Sequence, residues 1–217
     1  IREQLTLARR DRAAAFHSHH VMHRAQFEFT RHVALENDAA LLIQAIGGEA
    51  ASPDHYTRMR CYQALLPHYP PGQAGLTLLP LCPRPAGARE VLWRAIVARN
   101  FGCTHFIIGG DAGSGEIRRG SDALAPGQIQ PLAEHFASIG VEPIIFPRML
   151  YVPELAQYMP EEYLPPGQET LSLSSRELQQ RILEGREAIP EWASFPEVVA
   201  ELRKCMPQRI KRGFTVF

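Results

Sequence analysis

Residues 13–24 read Ala13-Ala14-Ala15-Phe16-His17-Ser18-His19-His20-Val21-Met22-His23-Arg24. A short apolar run gives way to a polar, histidine-rich turn, and a helix with apolar positions Phe29 and Val33 follows. A strand that hands over through a loop to a helix is half of a unit that returns to the same sheet, in parallel, by a right-handed crossover. Further apolar runs at Ala39 to Ile46, Leu76 to Leu81, His105 to Ile108 and Val141 to Phe146 repeat the pattern. Between them lie three helical stripes: Met59, Tyr62 and Leu66; Leu92, Ala95 and Ile96; and Ile129, Leu132, Ala133 and Phe136. Breakers at Gly47-Gly48, Pro70-Pro71-Gly72, Gly102 and Gly140 supply the loops. The expected fold is α/β, a Rossmann-like parallel sheet of about five strands with helices on both faces.

Beyond the last run the pattern changes. From Pro153 to Gly167 the chain is rich in proline and acidic residues without a clear period, and reads as an extended loop leaving the sheet. Ser174 with Glu177 suits a capping box, and Phe195 to Cys205 reads as a short amphipathic helix with proline in its first turn. These signals predict a small helical C-terminal subdomain. The tail Gly213 to Phe217 resembles the start of a strand. The expected division is an α/β domain over 1–152, a loop and helical subdomain over 153–206, and over 207–217 a linker into a further domain.

The chain carries 23 Lys+Arg against 23 Asp+Glu, so no global field draws nucleic acid or an anionic membrane, and neither is an expected partner. Any anion must be held by a local site. Cys61, Cys82, Cys103 and Cys205 are widely spaced in apolar or helical stretches and read as reduced core thiols. No apolar run approaches the twenty or so residues of a membrane span, and residues 1–16 are too charged for a signal peptide, so a cytoplasmic location is expected.

Ligands of open parallel sheets bind at the carboxyl ends of the strands. Three segments lie there: Phe16 to Arg24; Pro83-Arg84-Pro85-Ala86-Gly87-Ala88-Arg89-Glu90, which places two arginines at a helix start; and Gly109-Gly110-Asp111-Ala112-Gly113-Ser114-Gly115. Helix amides and closely approaching glycine backbone favour phosphate, and arginine forks clamp it. A glycine turn after a strand is commonly only a turn, and a surface arginine commonly only an ion-pair partner. Convergence of three such segments on one rim is what points to a ligand. His17, His19, His20 and His23 invite a metal reading, but no nearby Cys, Asp or Glu completes a ligand set, and no metal site is expected. No Gly-Lys-Ser/Thr follows Gly113 to Gly115, which excludes a P-loop there.

Taken together, these segments resemble the catalytic domain of ATP sulfurylase (sulfate adenylyltransferase) over nearly the whole chain. Residues 83–90 resemble the family's MR-x-AGPRE motif, and residues 100–109 its N-Y-G-(C/A)-T-H-F-I-V-G run. Residues 58–66 match a third motif, and residues 173–178 are similar to ISGTELR. The ending, from Ile189-Pro190-Glu191-Trp192 to Phe217, looks like members fused to an adenylylsulfate kinase or kinase-like domain.

The resemblance implies a nucleotidyltransferase acting on MgATP, sulfate, pyrophosphate and adenylyl sulfate, with Mg2+ arriving on ATP, in a homo-oligomer carrying the fused kinase domain. It carries catalytic roles onto Ser18, His19, His20, His23 and Gln26. Sulfate contacts fall on His17, His19 and Ala112, and nucleotide contacts on Arg84, Gly87, Arg89, Gly109, Gly110, Asp111 and Met149. The family's Q-T-R-N-P-x-H-x-x-H segment keeps only its first histidine, as His23, and in its G-R-D-H-A-G loop the arginine is replaced and the histidine deleted. Impaired turnover is therefore expected. The alternative is a silent domain that binds adenylyl sulfate or serves as an oligomerisation scaffold. A protonated His17 or His19 could replace a lost charge, although an imidazole near its ordinary pKa is mostly neutral in the cytosol.

Overall fold

The computed structural model of the chain describes residues 11–18, 20–47, 55–81, 87–109, 130–173, 175–184 and 188–204. Strands β1 (Ala13–Ser18), β2 (Ala40–Ile46), β3 (Ala74–Leu79), β4 (His105–Ile108) and β5 (Glu142–Ile145) form one sheet in the order β3-β2-β1-β4-β5, and every pairing in it is parallel. Chain order proceeds outward from β1 to β3, then returns to the other side of β1 with β4. The carboxyl ends of β1 and β4 therefore flank a topological switch point.

Burial on both faces explains the near-continuous apolar runs. Ala14 and Phe16 face a core shared with helix α1 (Arg24–Glu36) and helix α2 (His55–Leu65), while Ala13 and Ala15 face a second core with helix α3 (Ala88–Asn100) and helix α4 (Ala133–Ile139). Helices α5 (Ser175–Glu184) and α6 (Pro196–Lys204) add Leu178, Ile182, Val198 and Leu202 to the first core. The C-terminal helices thus share a core with the sheet.

Several expectations shift. The third strand starts at Ala74, two residues before its apolar run, and Leu78 on this edge strand is exposed. Along α2 the stripe of Met59, Tyr62 and Leu66 packs on the first core, with Tyr62 fully buried and the other two partly so, and Thr57, Arg58, Cys61 and Leu65 are buried beside it. In α3 Ile96 is 41% exposed, whereas Ala95 and Ala98 are fully buried. The helix approaches the sheet on its smallest side chains, against Ala13, Ala15 and Phe106. Replacing Ala98 with leucine is expected to overpack this contact and cost about 1–3 kcal/mol, read as a lower urea midpoint at unchanged m-value. In α4 Phe136 is buried and Ala133 exposed. Gly102 (φ 94°) and Gly140 (φ 77°) take the positive φ that their places after α3 and α4 demand.

Residues 153–167 are more ordered than an extended loop. Strand β6 (Met149–Val152) turns through a 3-10 segment and Ala156 (φ 50°) into strand β7 (Gln157–Pro160), an antiparallel pair. Four-residue strands bounded by Pro153 and ending at Pro160 leave no alternation to read; tertiary contacts hold them instead. Tyr151 stacks on Trp192 with ring centroids 5.3 Å apart, and the Tyr158 hydroxyl donates to the Trp192 carbonyl at 2.7 Å. Cys61 and Cys103 are buried; Cys82, Cys205, Ser174, Ile129 and the tail Gly213 to Phe217 lie outside the described residues.

Candidate functional site

Because the five strands are parallel, the ends of β1, β4 and β5 and the turns that follow them share one rim. His17, at the end of β1, pairs in register with Gln44 of β2. Its Nε2 donates to the Gln44 amide oxygen at 2.7 Å, and its ring meets Phe106 of β4 edge-on at 4.9 Å. The imidazole is therefore wedged between β2 and β4, beside the switch point. Burial pushes its pKa down to about 3, against the opposing help of the Gln44 hydrogen bond and with further lowering by Arg94. This corrects the expectation that a protonated His17 could replace a lost positive charge: the ring is neutral. Its Nδ1 and the Gln44 amide nitrogen are buried without a hydrogen-bond partner among the described residues.

The turn after β1 is tied to itself. The Ser18 hydroxyl donates to the His20 carbonyl (3.0 Å), and the His20 amide donates back to Ser18 Oγ (3.2 Å). From α2 the Tyr62 hydroxyl donates to the same His20 carbonyl. Ser18 is 2% exposed, so its hydroxyl builds the loop.

His23 is the N-cap of α1, with extended backbone, and its N–H donates to Gln26 Oε1 at 3.0 Å. Gln26 is buried, and its amide oxygen caps the chain entering the helix. The first turn of α1 contains no acidic residue, and its Arg24 amide donates to the Ala193 carbonyl at 3.3 Å. His23 Nδ1 lies 2.9 Å from Ser194 Oγ, and burial lowers the ring's pKa to about 4.

Gly87 stands before α3 with φ 53° and ψ −128°, a conformation that side chains with a Cβ rarely adopt, and Arg89 is exposed in the first turn. Gly109 follows β4 at φ 94°. Met149 opens β6, three residues beyond the Phe146 amide that donates to the Ile108 carbonyl. His19, Arg84, Gly110, Asp111 and Ala112 lie outside the described residues. Among the described residues no group of three His, Cys, Asp or Glu could hold a metal ion.

A cavity of about 310 Å³ lies on the flank, lined by Arg24, Glu28, Arg31, Tyr151, Tyr158 and Trp192. Glu28 sits 3.9 Å from Arg24 and 2.8 Å from Arg31, so both arginines already have a carboxylate. The rim is the better place for an anion. Two groups that shape it escaped the sequence reading. Gln44 is a lone amide inside an apolar strand, a signal that was there to be read; Ser194, 171 positions from His23, carries none.

A family model described as ATP-sulfurylase matches residues 1–205. The sulfate adenylyltransferase of Yarrowia lipolytica is 44% identical over 211 residues, covering 95% of this chain and 37% of the relative. Those of Gibberella zeae and Emericella nidulans are 44% and 43% identical, each covering 95% of this chain and 36% of the relative. The chain thus spans little more than a third of the length of these relatives. A solved structure described as a hexameric APS kinase from Thiobacillus denitrificans superposes with a TM-score of 0.78 at 38% identity, covering 94% of this chain and 38% of that one.

Proposed function

The chain belongs to the ATP-sulfurylase family, and from that premise we propose that its sheet rim binds ATP and adenylyl sulfate and interconverts them with impaired turnover. In the forward direction a sulfate oxygen attacks the α-phosphorus, a new P–O bond forms, and the bond to the leaving pyrophosphate breaks. The protein contributes position and charge stabilisation without a covalent step. The Gly109 backbone and Arg89 are the described groups suited to phosphate. Residues 84 and 110–112 complete the assignment by resemblance. Mg2+ would arrive on ATP and neutralise phosphate charge there when bound.

The observation that carries the impaired reading is the loss of donors from two motifs: of the family's Q-T-R-N-P-x-H-x-x-H segment only the first histidine remains, as His23, and the loop after Gly109 lacks the family's arginine and histidine. Removing one stabilising donor costs on the order of a hundredfold in rate. The expected reverse rate, ATP formed from adenylyl sulfate and pyrophosphate, is accordingly at least about a hundredfold below that of the Yarrowia lipolytica relative assayed beside it. Equal rates would overturn impairment; absence of both turnover and adenylyl sulfate binding would overturn the whole reading.

The second reading, a silent adenylyl sulfate-binding or oligomerisation domain beside a fused kinase, is favoured by the same motif loss and by the likeness to the hexameric APS kinase structure. It predicts binding without turnover in either direction. A homo-oligomer and a cytoplasmic setting accompany both readings.

A further inference from the structure

Residues 191–195 lie against the start of α1 through contacts that no local sequence signal announces. The Arg24 amide donates to the Ala193 carbonyl (3.3 Å), and Arg24 Nε to the Glu191 carbonyl (3.0 Å). The Arg24 guanidinium lies 3.7 Å from the centre of the Phe195 ring, and Ser194 Oγ is 2.9 Å from His23 Nδ1. The segment is therefore clamped to the residue that caps the helix and to the residue after it.

A neutral imidazole carries one N–H, and its hydrogen-bond partner decides which nitrogen holds it. Ser194 is 1% exposed, and His23 Nδ1 is the side-chain partner the structure gives its hydroxyl. Donating to Nδ1 satisfies that buried proton; accepting from Nδ1–H would leave it without an acceptor, at a cost of about 1–3 kcal/mol. We propose that Ser194 is a positioning residue for the rim: its hydroxyl donates to His23 Nδ1, locks the ring in the Nε2–H tautomer, and so makes His23 a fixed hydrogen-bond donor to a phosphoryl or sulfuryl oxygen. A ring held this way donates to an oxyanion and does not act as a general base. The ligand in this statement rests on the function proposed above; the tautomer does not.

The test labels the histidine rings of the 217-residue chain with 15N and assigns the His23 signals by comparison with His23→Gln. The expected spectrum at neutral pH shows the Nε2–H tautomer, and Ser194→Ala shifts it towards a mixture while Ser194→Thr restores it. A Nδ1–H tautomer in the unsubstituted chain, or His23 signals that ignore Ser194→Ala, would sink the idea. In parallel, Ser194→Ala is expected to weaken adenylyl sulfate binding about tenfold, the lower end for losing a group that orients a ligand, with Ser194→Thr recovering most of it. Unchanged affinity in Ser194→Ala would overturn the positioning role. A chain that binds no adenylyl sulfate would overturn the site reading and the ligand named here, while the ring spectra still judge the tautomer.

Discussion

Replacing Tyr62 with alanine is expected to remove about 3–5 kcal/mol of stability, the largest single-residue effect in this fold. Tyr62 is fully buried among the residues that join α2 to the sheet and to α6, so truncation opens a ring-sized cavity in close-packed surroundings. Its hydroxyl also donates to the His20 carbonyl and, at 3.4 Å, to the Ser18 carbonyl. Tyr62→Phe separates the two contributions. It keeps the ring volume and surrenders only the hydroxyl, for about 1–2 kcal/mol. Domains of this kind are stable by about 5–15 kcal/mol, so the alanine variant spends a large fraction of the whole. Urea denaturation of both variants checks the ordering. If Tyr62→Phe costs as much as Tyr62→Ala, the hydroxyl and not the packing dominates, and the cavity account is wrong.

The sheet was legible because β1, β2 and β4 are buried on both faces, which forces uninterrupted apolar runs whatever the loops do. Helix faces were less legible because hydrophobicity was the only guide to orientation. Ile96 outranks Ala98 on any such scale, yet close approach of α3 to the sheet selects alanine and turns Ile96 outward. The β6–β7 pair was illegible for a different reason: its partners, Trp192 and Leu171, are distant in sequence, and nothing within residues 149–160 encodes them.

The same distinction governs the candidate site. The position of His17 at a strand end could be read from its neighbours, but its charge state could not, since burial against Gln44 and Phe106 sets it. Gln26 shows how identity and role part company: aligned with a family histidine, it accepts the His23 N–H and caps the start of α1. Ser194 reaches the rim only through tertiary structure.

The buried histidines also make a pH effect of comparable size. His17 and His23 titrate near pH 3 and 4 in the folded chain, against an ordinary value of 6.5 when unfolded. Between about pH 6.5 and 4 the unfolded chain therefore binds protons on both rings that the folded chain refuses. More protons on the unfolded state means that stability rises with pH in this window and falls on acidification. At pH 5 each unfolded ring lies about 1.5 pH units below its pKa, worth about 2 kcal/mol apiece, so the pair should cost about 4 kcal/mol relative to pH 7.5. The pKa of His105, lowered chiefly by burial and partly restored by Glu142, adds in the same direction. His17→Gln, which keeps a hydrogen-bonding amide beside Gln44, should remove about half of the acid sensitivity whatever it does to stability at pH 7.5. Urea midpoints measured from pH 7.5 to 5 decide the matter: a flat profile in the unsubstituted chain, or a slope that His17→Gln leaves intact, means that burial does not hold these rings neutral, and the wedged, desolvated placement of His17 between β2 and β4 would go with it.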